Sequence, residues 1–496
     1  MQVRVDWRTS ASLVGTVLEL LAIPLVGVAL VALWYGEPPV PFLLTAAASG
    51  LVGAGLARLG RDELGLREAF LVVALTWLAV ALVGMVPFVL VGSGVFSSPV
   101  NALFESMSGV TTTGATVVVS FDAHGRALLL WRALLQWIGG LSILVLAVAL
   151  LSQLSVGGAQ LMETESQTRD VTKLTPRIAE TARLIGTLYV VLTGSMVAVL
   201  LGLHFLGFAP EMTLYDAVTH AFTAVSTAGF SPRAESVGAF SPAVQWAVIP
   251  FMFLGATNFI LLYHAGQGDF SRLRKSDEFR FYVAVLLGFT ALVAVFLVVD
   301  KQFTSVERTL RHALFQTVSI VTTTGYATVD FDIWSPAAKH ILFLGMFVGG
   351  MAGSTTCSIK TLRWLLVVRG LRRDLFTRVH PEAVRPVRLG GRAVDEDVVR
   401  DVFAYTLLSV VIFGLSTVFL VTDAARVGLA ITEFEAMGAA AATFLNIGPA
   451  FGFAGPYGSY EPFSVSTKLA MTALMWIGRI EVIPVLVILS PAFWTS

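Results

Sequence analysis

The chain has 496 residues, 56% of them hydrophobic and 13% charged, with 33 basic residues balancing 33 acidic ones. A soluble domain carries roughly a quarter charged residues, so the composition and a mean hydropathy of +0.79 place the chain in a bilayer. The zero net charge leaves no nucleic-acid footprint, and the single cysteine, Cys357, excludes an intramolecular disulfide.

In chain order, apolar runs near or above the ~20 residues a span needs fall at about 11–34, 41–58, 69–93, 126–152, 183–208, 241–264, 279–300, 337–369 (interrupted), 400–421 and 466–492. They predict an all-α polytopic membrane protein of about ten transmembrane helices. The first run lacks a small-residue cleavage site and reads as a retained helix. Shorter half-apolar segments lie between the spans at 99–112, 213–227, 307–323 and 431–445. At 1.5 Å per residue they cannot cross ~30 Å of hydrocarbon, and they read as re-entrant helices.

Basic residues follow spans two (Arg58, Arg61, Arg67), four (Arg169, Lys173, Arg177, Arg183), six (Arg272, Arg274, Lys275) and eight (Arg363, Arg369, Arg372, Arg373, Arg378, Arg385, Arg388, Arg392). The positive-inside rule makes that side cytoplasmic. Both termini then lie inside, and the short segments enter from outside. Arg126 and Arg132, near the outer end of span four, run against the rule.

The short segments align as "ALFESMSGVTTTGATV" (102–117), "AVTHAFTAVSTAGFSP" (217–232), "ALFQTVSIVTTTGYAT" (313–328) and "AMGAAAATFLNIGPAF" (436–451). Glycines coincide at 114, 229, 325 and 448. Twelve places earlier stand Ala102, Ala217, Ala313 and Ala436; four places earlier stand Val110, Val225, Val321 and Phe444. The unit of span, half-helix, loop and span is thus used four times, after an extra two-span segment. Domain boundaries follow at 1–66, 67–160, 161–270, 271–375 and 376–496.

A short helix descending from outside turns its partially negative C-terminal end into the membrane, which favours a cation. A ring of loop carbonyls can replace the hydration shell of a monovalent cation such as K⁺. Glycine takes the dihedrals that aim a carbonyl without a Cβ clash, and a hydroxyl either holds the loop or offers another oxygen. The predicted filter comprises Thr111, Thr112, Thr113 and Gly114; Ser226, Thr227, Ala228 and Gly229; Thr322, Thr323, Thr324 and Gly325; and Asn446, Ile447 and Gly448. One T-T-T-G alone reads more readily as helix packing; four copies in register reverse that reading.

The runs "ESMSGVTTTGAT" (105–116), "STAGF" (226–230), "TTTGY" (322–326), "NIG" (446–448) and "LLQWIGGLSILVLAVALL" (134–151), with the two extra N-terminal spans, resemble the TrkH/KtrB/HKT superfamily of potassium transporters, the TrkH branch in particular. The resemblance implies K⁺ as the transported ion, no organic cofactor, a homodimer in the cytoplasmic (inner) membrane with its lipid, and a cytosolic TrkA-type ring of nucleotide-binding domains that gates the pore. Ile447 departs from the threonines at 113 and 324. Serine at the first filter glycine accompanies sodium transport in eukaryotic relatives, so Gly114 favours potassium.

Span eight is broken by "GGMAGSTTCSIKT" (349–361). Its glycines each weaken a helix by about 1 kcal/mol relative to alanine. The run is either a close-packing face or an unwound intramembrane loop beneath the filter. The resemblance makes it a gate, with Gly349, Gly350, Gly353, Ser354 and Lys360 in it; Lys360 then holds loop carbonyls or repels cations. Arg479, within the last span, costs at least ~2.5 kcal/mol at membrane depth. It either snorkels, pairs with Glu481, or projects a charge into the pore, the role of the matching family position. Asp122, Asp330 and Asp332 either concentrate cations outside or are solvated loop residues. His220 reads as a satisfied structural histidine. The basic stretch 363–400 serves as a docking face or simply as a topology signal.

Two other functions compete. An ion-coupled secondary symporter of a small organic solute needs paired or inverted halves, whereas four units of like order are present. An intramembrane enzyme needs a catalytic motif; H-E-x-x-H, G-x-S-x-G and P-loop signatures are absent.

Overall fold

The computed structural model describes residues 5–60, 65–151 and 174–495. Arg61, Arg169, Lys173 and the repeat boundary at 160 lie outside the described residues. Two helices, α1 (Trp7–Trp34) and α2 (Val40–Ala57), pack along each other ahead of the repeats. Close approach is secured by small residues: a methyl group on Gly15 or Gly53 would lie 2.7 Å from backbone of the facing helix.

Repeat one is α3 (Leu66–Gly84), α4 (Val86–Val91), the short α5 (Pro99–Val110) and α6 (Arg126–Leu151). Repeat two is α7 (Leu174–Phe205), the short α8 (Leu214–Val225), α9 (Pro242–Gly255) and α10 (Phe259–Gly266). After α11 (Phe270–Lys275), repeat three is α12 (Asp277–Val299), the short α13 (Val306–Val321), α14 (Pro336–Gly345) and α15 (Thr361–Val379). A hairpin, β1 (Arg388–Leu389) with β2 (Arg392–Ala393), precedes repeat four: α16 (Glu396–Val427), the short α17 (Glu433–Phe444), α18 (Val465–Arg479) and α19 (Ile483–Leu489), with α20 (Pro491–Thr495) at the end.

Each short helix starts on a cap suited to it. Thr213, Ser305 and Thr432 accept a backbone N–H three residues on, and Glu435 closes a capping box with Thr432. Pro99 opens the fourth of these helices at its first position, where no N–H is needed. The aligned alanines 102, 217, 313 and 436 are all fully buried. Short helices also pack on the second helix of the preceding repeat: α8 on α6, α13 on α9, and α5 on α18. That last contact joins repeat four to repeat one and closes the bundle.

Among the described residues seven helices are long and apolar enough to cross a bilayer, nine if each of two bent pairs counts as one span. Predicted spans six and ten are therefore not continuous. The first bends by 111° between α9 and α10, the second by 112° between α18 and α19. Span eight is interrupted as predicted, with α14 and α15 separated by a non-helical segment, 346–360.

Candidate functional site

All four short helices end in the same way. The residue two after each helix is left-handed: Thr112 (φ 53°), Thr227 (φ 50°), Thr323 (φ 53°) and Asn446 (φ 55°). The next N–H reaches back five residues, from Thr113 to Ser108 O (2.9 Å), Ala228 to Thr223 O (2.9 Å), Thr324 to Ser319 O (2.8 Å) and Ile447 to Ala442 O (2.9 Å). This is a Schellman closure, which normally places glycine at the left-handed position. Here β-branched threonine occupies three of the four, at a cost of about 1–2 kcal/mol each. The filter glycine follows two places later, again at positive φ: Gly114 81°, Gly229 76°, Gly325 78°, Gly448 102°.

The four loops meet in one ring. A methyl group on Gly114 would lie 2.3 Å from Ala228 O, on Gly229 1.9 Å from Thr324 O, on Gly325 2.1 Å from Ile447 O, and on Gly448 2.8 Å from Thr113 O. Each glycine thus abuts the carbonyl before the next loop's glycine, in the order one, two, three, four and back to one. All four glycines line a single cavity of about 170 Å³ with Arg132, Arg233, Tyr457 and Tyr460. Asp122, Asp330 and Asp332 are not among its lining residues; Asp332 pairs instead with Lys339 (3.5 Å). The helices behind the ring carry glycines where the short helices press. A methyl group would lie 1.9 Å from Val110 O at Gly139, 2.9 Å from Val225 O at Gly255, and 1.9 Å from Phe444 O at Gly478.

The hydroxyls brace the loops. Thr111 Oγ1 bonds Thr113 Oγ1 and Thr322 Oγ1 bonds Thr324 Oγ1, each at 2.7 Å. Ser226 Oγ donates to Phe222 O (2.8 Å). In the fourth loop, Asn446 Nδ2 donates to Thr113 Oγ1 (2.8 Å) and Met475 O (2.9 Å).

Several supporting residues were not singled out from the sequence. Glu105, fully buried on α5, accepts from Thr116 Oγ1 (2.8 Å), Val117 N (2.9 Å) and Arg132 Nε (2.7 Å). Arg132 also stacks over Phe230 at 4.1 Å, and its charge, which runs against the positive-inside rule, is paired with Glu105 within the fold. Gln136 bonds Ala228 O and Phe230 N. Tyr460 Oη donates to Gly448 O (2.7 Å), and Tyr326 Oη to His220 O (3.0 Å). His220 is held on both ring nitrogens, by Asp216 O (2.8 Å) and Ser231 Oγ (3.0 Å). In the loop before α6, burial and the charge of Arg132 lower the His124 pKa from 6.5 to about 4.

The segment 346–360 packs against the second and third loops of the ring. Thr355 Oγ1 bonds Thr227 Oγ1 (2.9 Å), and Cys357 N donates to Thr323 Oγ1 (3.2 Å), both at left-handed positions of filter loops. Its glycines permit close approach: a methyl group on Gly349 would lie 2.2 Å from Cys357 O, on Gly350 2.7 Å from Ala256 O. Gly353 (φ 74°) accepts from Phe259 N (3.1 Å), and Ser354 Oγ donates to Met351 O (2.6 Å). The break between α9 and α10 is thereby explained. Ala256 O and Asn258 leave the helix to pair with this segment, accepting from Met351 N (2.9 Å) and donating to Ala352 O (2.7 Å). Glu278 adds a bond from Ala352 N (2.7 Å).

Arg479, 2% exposed, donates to Thr355 O (3.0 Å), Cys357 Sγ (2.8 Å) and Gly139 O (3.0 Å). It neither snorkels nor pairs with Glu481. Glu481 instead binds Arg363 and Lys360 (3.7 Å). The alternative in which Lys360 holds loop carbonyls gives way to that ion pair.

A multi-pass membrane protein with four pseudo-repeats in one chain, closed around a ring of backbone carbonyls and glycines, defines a channel-like class of transporter. The TrkH family model, "Cation transport protein", matches residues 42–495, and the chain belongs to that family. It is 36% identical over 444 residues to the Trk system potassium uptake protein TrkH of Escherichia coli K12, covering 88% of this chain and 87% of that one. It is 35% identical over 441 residues to the TrkH of Halomonas elongata, covering 88% of each. The crystal structure of the potassium transporter TrkH from Vibrio parahaemolyticus superposes with a TM-score of 0.88 at 32% identity, over 99% of this chain and 100% of that one.

Proposed function

We propose that the chain takes up K⁺ across the cytoplasmic membrane through a pore on the axis of its four repeats, 67–160, 161–270, 271–375 and 376–496. The closed ring of glycine against neighbouring carbonyl carries this reading. Such a ring exchanges backbone oxygens for hydration water. Four short-helix C-termini on one axis add their partial negative charge to it. The filter residues are Thr111–Gly114, Ser226–Gly229, Thr322–Gly325 and Asn446–Gly448. An inside-negative potential drives entry with about 2.3 kcal/mol per 100 mV for each charge. Transport, and not catalysis, is the chemistry such a site performs.

The segment 346–360 is the gate, and Arg479 is its latch. Gly349, Gly350 and Gly353 allow its tight path, and Ser354 stiffens its turn. Lys360 anchors its end to Glu481. The arginines of α15 and the hairpin face the cytoplasm with both termini, and they offer a docking face to a TrkA-type nucleotide-binding ring. The assembly is a homodimer in the inner membrane.

Growth rescue of a potassium-uptake-deficient bacterium at low K⁺, with and without a co-expressed regulatory ring, tests the reading. Parallel proteoliposome flux compares K⁺, Na⁺ and labelled amino acids or sugars. Rescue with K⁺-selective flux is expected. Solute flux with no K⁺ current would replace the pore with a carrier.

A further inference from the structure

Resting on the filter reading above, we propose that Gln136 is a specificity-determining residue: it locks the second filter loop and thereby holds the pore's K⁺ over Na⁺ discrimination. Gln136 lies on α6 and is fully buried. Its face of the helix also carries Gly139 and Gly140, three and four residues on, which press against Val110 and Ser226. The side chain therefore reaches the seam between loops one and two.

Its two contacts bracket one residue. Nε2 donates to Ala228 O (2.6 Å), and Oε1 accepts from Phe230 N (2.9 Å). The reverse amide orientation would set N–H against N–H and oxygen against oxygen, so the network fixes the assignment. Between the two contacts sits Gly229, at φ 76°. The Ala228 carbonyl and the Phe230 N–H belong to the two peptide planes that rotate when Gly229 changes φ or ψ. A glycine is the residue most able to make that change, and the carboxamide blocks both rotations at once. Ala228 O is also the atom against which Gly114 packs, so Gln136 sets the spacing between loops one and two.

At no other filter glycine among the described residues does one side chain hold both flanking peptides. Gly448 is held by two separate groups, Tyr460 on its carbonyl and Ala442 O on its N–H (3.4 Å). Ser319 accepts from Gly325 N with its main chain and reaches Tyr326 O with its hydroxyl. In the second loop, as in the fourth with Ile447, the residue before the glycine, Ala228, has no hydroxyl to hold it. K⁺ and Na⁺ differ in the oxygen cage they require, and a cage that can reorient separates them less.

The test is reversal potentials in planar bilayers for the full chain and for Gln136→Met, which keeps length and removes the N–H donor, and Gln136→Asn, which is too short to span both groups. Both variants should lower the K⁺/Na⁺ permeability ratio about tenfold, the scale of one buried hydrogen bond, with K⁺ flux retained within a few fold. Trp137→Phe, at the next position of α6, removes a bond to Thr193 of α7 (3.2 Å) and should leave the ratio unchanged. For a variant too quiet to record, the difference between K⁺ and Na⁺ in raising Tm in detergent replaces the ratio and should shrink. Unchanged ratios in both glutamine variants, or reduced flux at the parent's selectivity, overturn the role of Gln136 and leave the filter standing. A parent chain that passes K⁺ and Na⁺ equally overturns the filter itself, and this inference with it.

Discussion

Replacing Arg479 with alanine tests the proposed latch. Its guanidinium makes two bonds to the gate, at Thr355 O (3.0 Å) and Cys357 Sγ (2.8 Å), and one to Gly139 O (3.0 Å) on α6. It thus ties repeat three to repeat one from repeat four. A hydrogen bond involving a charged group contributes about 1.5–3 kcal/mol. If one such bond distinguishes the held gate from the released one, its loss shifts that equilibrium about ten- to a hundredfold. The removed charge also lifts a repulsive barrier to a cation beneath the filter, in the same direction. Basal K⁺ flux into proteoliposomes, without a cytosolic partner, should therefore rise at least tenfold for Arg479→Ala. Arg479→Lys keeps the charge without the planar fork, so a raised flux there assigns the effect to the tether and a parental flux assigns it to charge. Unaltered or lower flux in monodisperse Arg479→Ala protein would refute the reasoning.

Gly114→Ser places a side chain at φ 81°, with its Cβ 2.3 Å from Ala228 O; loop two must retreat, and the K⁺/Na⁺ permeability ratio should fall about tenfold in bilayer recordings, in line with a backbone penalty of about 1–3 kcal/mol. Glu105→Ala leaves Arg132 buried without its carboxylate, which should cost about 3–5 kcal/mol. Thermal unfolding in detergent should show the loss, partly restored in Glu105→Ala/Arg132→Ala. His124 is held at about 4 in the fold against 6.5 free, so the unfolded chain binds the extra proton between those values. Stability should be full above about pH 6.5 and fall as pH drops toward 4, with a flatter Tm profile over that window in His124→Asn.

The half-helices were legible because a polar loop, a glycine and a following span bracket each one. Predicted segments 99–112 and 213–227 became Pro99–Val110 and Leu214–Val225, the excess being the Schellman turn at each C-terminal end and, in the second, the Thr213 cap. The breaks at 256–258 and 480–482 were not read, because a few residues leaving a helix do not alter the hydropathy of the run around them. Their cause is tertiary: Asn258 pairs with the gate segment, and Glu481 with Arg363 and Lys360 from another repeat. The hairpin at 388–393 had a local signal, Gly390–Gly391 between short alternating runs. Gln136 had one too, an amide in an apolar helix with glycines three and four places on. Only the partners of that amide, ninety residues away in sequence, needed the fold.

Symmetry in the ring of loops holds for the backbone and fails for the side chains, and the failure lies where the proposed gate packs. Four left-handed residues occupy equivalent places, yet Thr227 and Thr323 bond the gate segment, Asn446 bonds repeat one and α18, and the Thr112 hydroxyl is buried without a hydrogen-bond partner. A loop contributed by a single repeat can reach only the loops on its own side of the axis, here two and three. The opposite side is held by the fourth loop instead. The departure of "NIG" from the threonine pattern is thus a substitution of role: Asn446 cross-links loops four and one, to which segment 346–360 makes no hydrogen bond among the described residues. The backbone ring keeps its four-fold shape while only half of its rim is hydrogen-bonded to segment 346–360 among the described residues.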